Sequence, residues 1–214
     1  MGEVAIASRG GVARLEMFSD GVFAIAITIL ALELRVPHVE QLTAGNLARA
    51  LLDEWPSYFA FLLSFSTILI MWINHHARLA LLDRVDGLLM FGNGLLLMMV
   101  AALSFPTALV GEYLTGPAGK TAVVTYALFV FTTAAAWNVV MVALKPERGL
   151  LRAGVPSALV AKMRRRQALS LIPYICAIAL ALVHEYLGLG LITAMWGFWA
   201  SIAYRTFGAS RGHV

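Results

Sequence analysis

The sequence predicts an all-α integral membrane protein with six transmembrane helices, and three observations carry that prediction. Apolar runs of about 20 residues recur along the chain, each long enough to cross roughly 30 Å of hydrocarbon. The 214 residues are 60% hydrophobic and only 13% charged, with a mean hydropathy of +0.81, whereas a soluble domain is roughly half apolar and a quarter charged. The basic residues gather between the apolar runs rather than within them. Such a chain cannot cover its surface with polar groups in water. The net charge of +4 therefore reads as loop charge and not as a nucleic-acid surface.

The six spans are expected at 14–36, 55–75, 86–110, 121–144, 167–186 and 187–207, within a single domain covering 1–214. The first run is too long, and too polar at its start, for a cleavable signal peptide. Pro56 suits the first turn of the second span, where its missing N–H costs nothing. Pro106 should kink or end the third. In the fourth, Val123-Val124-Thr125-Tyr126-Ala127 faintly echoes a potassium-channel filter but lacks its glycine and any re-entrant flanks. The fifth and sixth should form a hairpin linked around Gly188 and Gly190. Cys176, the sole cysteine, should be a small buried hydrophobe and excludes an intrachain disulfide. Arg78, Asp83 and Arg84 read as a solvated turn, and His184-Glu185 as an exposed one. Trp55, Tyr58, Tyr113, Tyr186 and Tyr204 fall near span ends, as interfacial aromatic belts do.

Loop charge predicts the orientation. With both termini cytosolic, thirteen of the sixteen Lys and Arg residues face the cytosol, and only Arg35, Arg49 and Lys120 face outward. That asymmetry follows the positive-inside rule and favours an even number of spans. The run Lys162-Met163-Arg164-Arg165-Arg166 serves the same signal and also suits contact with anionic lipid headgroups.

The first span, RLEMFSDGVFAIAITILALEL, holds the most functional information. At about 100° per residue, Phe18, Gly21, Ile25, Thr28, Ile29 and Leu32 share one stripe. Ser19 and Asp20 point away from it. Charge inside a bilayer is costly and usually has a role. Here the expected role is an inter-helix anchor, with Trp72-Ile73-Asn74-His75-His76 on the second span and Asn93 on the third as partners. Arg14 and Asp20 lie on different faces, so pairing between helices is favoured over pairing within one. A metal site is not expected, because adjacent histidines on a helix diverge by about 100°. No phosphate-binding loop, HExxH or nucleophile elbow occurs, so no enzyme activity is expected.

The pattern Arg14-x-x-x-Phe18-Ser19-Asp20, continuing Gly21-Val22-Phe23-Ala24-Ile25-Ala26-Ile27-Thr28, closely resembles the first helix of the bacterial branch of the transmembrane protein 175 family of potassium channels. Trp72-x-Asn74-His75-His76, Asn93 and the six spans extend the match, while Leu79 stands where an aromatic is usual. The resemblance implies a homotetramer of one-repeat subunits, with the first helix lining a central pore in the cell membrane. It implies an apolar constriction at Ile25, Ile29 and Leu32, a hydroxyl layer at Thr28, modest potassium selectivity and no cofactor beyond the permeant ion. Arg14, Phe18, Ser19, Asp20, His75, His76 and Asn93 would form the structural and gating motif. The alternative is a proton-conducting channel or proton-coupled transporter relaying through Asp20 and His75 or His76.

Overall fold

The computed structural model describes residues 2–37 and 43–208. Among these are nine α-helices, and all but the short α2 build six membrane-length rods: α1 (Gly2–Ile29), α2 (Ala44–Asp53), α3 (Trp55–Leu79), α4 (Gly87–Ala101), α5 (Ser104–Tyr113), α6 (Gly119–Ala143), α7 (Ser157–Leu169), α8 (Leu171–Val183) and α9 (Glu185–Gly208). A 3-10 turn, Leu30–Glu33, finishes α1. The helix α4 runs into α5 as one rod, and α7 into α8 as another.

The interruptions have covalent causes. Pro106 has no N–H for the carbonyl of Ala102, so the third rod bends at Ala102–Leu103 instead of ending. Pro173 does the same for Leu169, and the break falls at Ser170, whose hydroxyl donates to the Gln167 carbonyl at 2.6 Å. Asp86 caps α4 by accepting the Leu89 N–H at 2.8 Å. Pro56 sits in the first turn of α3, as its sequence position requires. Thr43 caps α2, a short helix the hydropathy pattern does not announce.

Three expectations are corrected. The α8–α9 link lies at His184, not at Gly188 and Gly190, which are both inside α9. Gly188 instead permits close packing: a Cβ there would lie 2.5 Å from the Ala181 Cβ and 2.9 Å from the Ala177 carbonyl oxygen. Cys176 is exposed on α8, because the small residues Ala177 and Ala181 take the packed face. Arg78 is not in a solvated turn; it belongs to the last turn of α3 and is 3% exposed. Among the thirteen basic residues assigned to one side, Arg211 lies outside the described residues, as do the side chains of Arg9 and Arg205.

The helix α6 is the hub, packed against α4, α5, α7, α8 and α9. The segment that echoes a channel filter is ordinary helix within it, and Tyr126 is fully buried. The Tyr126 hydroxyl lies 3.0 Å from Ser64 Oγ, which lies 2.7 Å from Thr107 Oγ1. This polar knot ties α3, α5 and α6 together where unpaired hydroxyls would be costly. The helix α1 packs chiefly on α3 and α4, at the edge of the bundle.

Candidate functional site: the two faces of the first helix

Val12, Ser19, Phe23 and Ala26 of α1 and Leu30 of the 3-10 turn that finishes it are buried. On a helical projection they fall within roughly 60° of one another. On the other side, Phe18, Ile25, Ile29 and Leu32 are exposed, with Leu32 at 80%. Thr28 and Gly21 are exposed as well. The stripe expected from periodicity thus faces away from the rest of the chain. The 3-10 turn at Leu30–Glu33 winds Leu32 further round than an α-helix would, yet leaves it on the open side.

The buried face is fastened at the end of the bundle that carries the double histidine. His75 Nε2 lies 2.6 Å from Asn93 Oδ1, Asn93 Nδ2 donates to Ser19 Oγ at 3.0 Å, and Ser19 Oγ donates to the Leu15 carbonyl at 2.7 Å. With the proton on His75 Nε2, every donor in this chain points the same way and α3, α4 and α1 are joined. The His75 ring packs against Phe23, at 5.3 Å, and Trp137, at 5.8 Å, and its Nδ1 is buried without a hydrogen-bond partner. Beside the chain, Trp72 Nε1 donates to Asp20 Oδ1 at 2.8 Å, and His76 Nδ1 lies 2.7 Å from Glu16 Oε1. The two histidines therefore point to different sides, and no cluster able to hold a metal ion occurs among the described residues.

The opposite end is fastened too. Ser57 Oγ donates to the Glu33 carbonyl at 2.9 Å, and Arg35 pairs with Glu112. Neither contact was visible in the sequence, because the partners are 24 and 77 residues apart. Of the residues expected in the motif, Ser19, Asp20, His75, His76 and Asn93 meet other helices. Arg14 and Phe18 are exposed and take no part in these contacts. Thr28 Oγ1 lies 3.1 Å from the Ala24 carbonyl oxygen and 2.9 Å from that of Ile25. Its proton is thus committed to its own helix, and its oxygen lone pairs are left on the open face.

A six-rod apolar bundle whose first helix is pinned at both ends, with a bare apolar stripe between, defines a multi-pass membrane protein with one helix face left uncovered by the rest of the subunit. Comparison with known proteins specifies the class. Residues 14–103 match the family model described as endosomal/lysosomal potassium channel TMEM175. A potassium channel of Streptomyces collinus is 41% identical over 189 residues, covering 86% of this chain and 91% of that protein. One of Chamaesiphon minutus is 49% identical over 125 residues, covering 58% of this chain and 62% of that protein. The solved structure of a lysosomal potassium-selective channel TMEM175 homolog from Chamaesiphon minutus matches at TM-score 0.81 and 36% identity, covering 90% of this chain and 97% of that one. An endosomal/lysosomal proton channel TMEM175 of Gallus gallus is 34% identical over 106 residues, covering 47% of this chain and 21% of that protein. The chain belongs to the TMEM175 family of ion channels and is not an enzyme.

Proposed function

We propose that this chain is a potassium-conducting subunit in which four copies of α1 surround an axial pore, with the basic loops and both termini cytosolic. One observation carries the reading: Ile25, Thr28, Ile29 and Leu32 are bare in the subunit, although polar contacts pin the same helix above and below them. An exposed apolar stripe is unremarkable against lipid. The fastening is what distinguishes it, because polar anchors on both ends hold one chosen face outward.

Four copies of Ile25 on an axis form a narrow ring that excludes water, and such a ring gates by dewetting. Opening requires the α1 helices to spread or rotate until a largely dehydrated ion can pass. Four Thr28 oxygens, with their lone pairs free, supply part of the lost hydration. A potassium preference built on side chains rather than on a ring of backbone carbonyls is modest. Ser19, Asp20, His75, His76 and Asn93 set the position of α1 without touching the ion.

Proton conduction is the second reading, favoured by the name of the Gallus gallus relative. It would draw on Asp20, His75 and His76. Against it, the Ser19–Asn93–His75 chain already uses its donors, and Asp20 is held by Trp72 on a separate contact.

Purified protein in liposomes tests both readings. Potassium flux exceeding sodium flux several-fold, with a cross-linking ladder that ends at four, supports the channel tetramer. Flux that follows the pH gradient and ignores potassium sinks it in favour of proton conduction. Ile25→Cys, in a Cys176→Ser background, should place four thiols on the axis and make the current sensitive to cadmium, a soft metal that binds thiolates. Cadmium-insensitive current from that variant removes Ile25 from the pore.

A further inference from the structure

Away from α1, a cleft lies between α3, α6 and the α7–α9 hairpin. It encloses about 620 Å³ counting its open mouth. Trp137, Trp196, Trp199 and Tyr174 wall it. Its single charged lining residue is Arg78, and no carboxylate lines it.

Arg78 is the anomaly. It is 3% exposed, and its guanidinium lies 4.4 Å from the centre of the Trp137 ring. It donates to the Asn74 carbonyl at 2.7 Å and weakly to Gln167 Oε1 at 3.4 Å, while its Nε has no partner. No acidic side chain pairs with it among the described residues. A second guanidinium, that of Arg166, lies 5.7 Å from the centre of the Trp199 ring, and its Nε is also buried without a partner. One cation on the wall of an aromatic cleft and a second stacked near one of its tryptophans, each with a buried Nε unused and with no acidic partner for Arg78 among the described residues, leave a charge that burial penalises strongly.

We propose that this cleft binds the oxyanion head of an anionic membrane amphiphile, with Arg78 as its buried counter-charge. The tail leaves past Met71 and Trp196, half-buried and 37% exposed respectively, which sit on two membrane-length rods and so open toward hydrocarbon. The aromatic walls favour an apolar neck behind the head group. The planar fork of Arg78 favours a two-oxygen acceptor over a spherical ion. This inference does not depend on how ions cross the tetramer.

Three of the five tryptophans wall the cleft, so quenching by brominated lipids reads it directly. In phosphatidylcholine bilayers, brominated phosphatidylglycerol should quench saturably and several-fold more per mole than brominated phosphatidylcholine. Arg78→Met should abolish that excess, and Arg78→Lys should keep part of it. Equal quenching by the two lipids in the wild-type protein overturns the proposal, as does an undiminished excess in Arg78→Met. Relief of the excess by millimolar inorganic phosphate shows that a free anion is the occupant and overturns the lipid source. If Arg78→Met does not fold, the wild-type lipid pair still decides, together with Arg166→Gln, which should reduce the excess.

Discussion

The helices α1 and α6 have nearly equal mean hydropathy over their most apolar stretches, 1.8 and 1.7, yet 22% of the first stretch is buried in the subunit against 56% of the second. Hydropathy reports that a helix enters the membrane. Burial reports what it faces there. The helix α6 meets its needs inside the chain, surrounded by five other helices and holding Tyr126 in a polar knot. The helix α1 meets only its polar needs there, at its two ends, and presents its apolar middle outward. If α1 lines the pore as proposed, stability and conduction fall to different helices, and substitutions in the two should fail in different ways.

The largest effect is expected from α6. Trp137 is 5% exposed and touches both His75 and Arg78. Trp137→Ala opens a cavity and removes the aromatic face beneath a buried cation, at a cost of about 3–5 kcal/mol. Thermal unfolding in detergent should show a drop large enough to lower the yield of folded protein. If Trp137→Ala melts like wild type, the hub reading of α6 fails. Next comes the seam between the two regions. Asn93→Ala leaves the His75 Nε2–H without an acceptor, at roughly 1–3 kcal/mol, and takes from Ser19 Oγ the donor it accepts, although that hydroxyl still donates to the Leu15 carbonyl. It should lower the melting temperature and loosen α1, so that current changes as well. A current defect without any loss of stability would show that Asn93 acts on the ion path directly.

At Ile25 the comparison reverses. The side chain is 61% exposed in the subunit, so Ile25→Asn should change subunit stability by about 0.5 kcal/mol or less. Four amides in the ring would wet it, raising single-channel conductance and weakening the potassium preference. Unchanged currents in a bilayer recording would place the gate elsewhere. Asp20→Ala belongs between these cases. It frees the Trp72 Nε1–H at a partly exposed site, so assembly should weaken more than subunit folding does. A fully tetrameric, active Asp20→Ala protein would end the anchor reading.

The division between the two helices was partly legible in the sequence. The stripe on α1 follows from 3.6-residue periodicity, which needs no knowledge of the neighbours, and so Ile25, Thr28, Ile29 and Leu32 emerge from angle alone. Ser19 and Asn93 could be named as anchors because a polar group in an apolar helix must find a partner. Which partner it finds depends on helix packing, and that is written nowhere locally. Asp20 could have met His75 or Asn93, but it meets Trp72 instead. Arg78 misled for the same reason: next to Asp83 and Arg84 it looks like loop charge, while one more turn of α3 draws it under Trp137. The hairpin link misled through glycine, which marks turns and close helix contacts alike; Gly188 serves the second use. The contacts at Ser57 and Glu112 use common polar residues without any pattern, so only the fold reveals them.

The smallest effect tests whether the fastening extends beyond the spans. Asp86 lies just outside the third rod, where it caps α4 and pairs with Arg148. Partial burial pushes its carboxyl up, but the Leu89 N–H and the Arg148 guanidinium together outweigh that and hold it below the ordinary value of 3.8. A carboxylate depressed by folding stabilises the native state fully above its unfolded value, and that contribution is lost as pH falls through the folded one. Stability should therefore hold from neutral pH down to about pH 4 and decline below it. The side chains are 28% and 37% exposed, so solvent screens the pair. The cap and the pair together are worth about 1 kcal/mol. Asp86→Asn keeps a capping oxygen and removes the charge, so its melting curve should lose the Asp86 share of the acid dependence while moving little at pH 7. An acid profile identical to wild type would show that the loop pair contributes nothing, and that α4 is positioned by its membrane contacts to α1 and α6 alone.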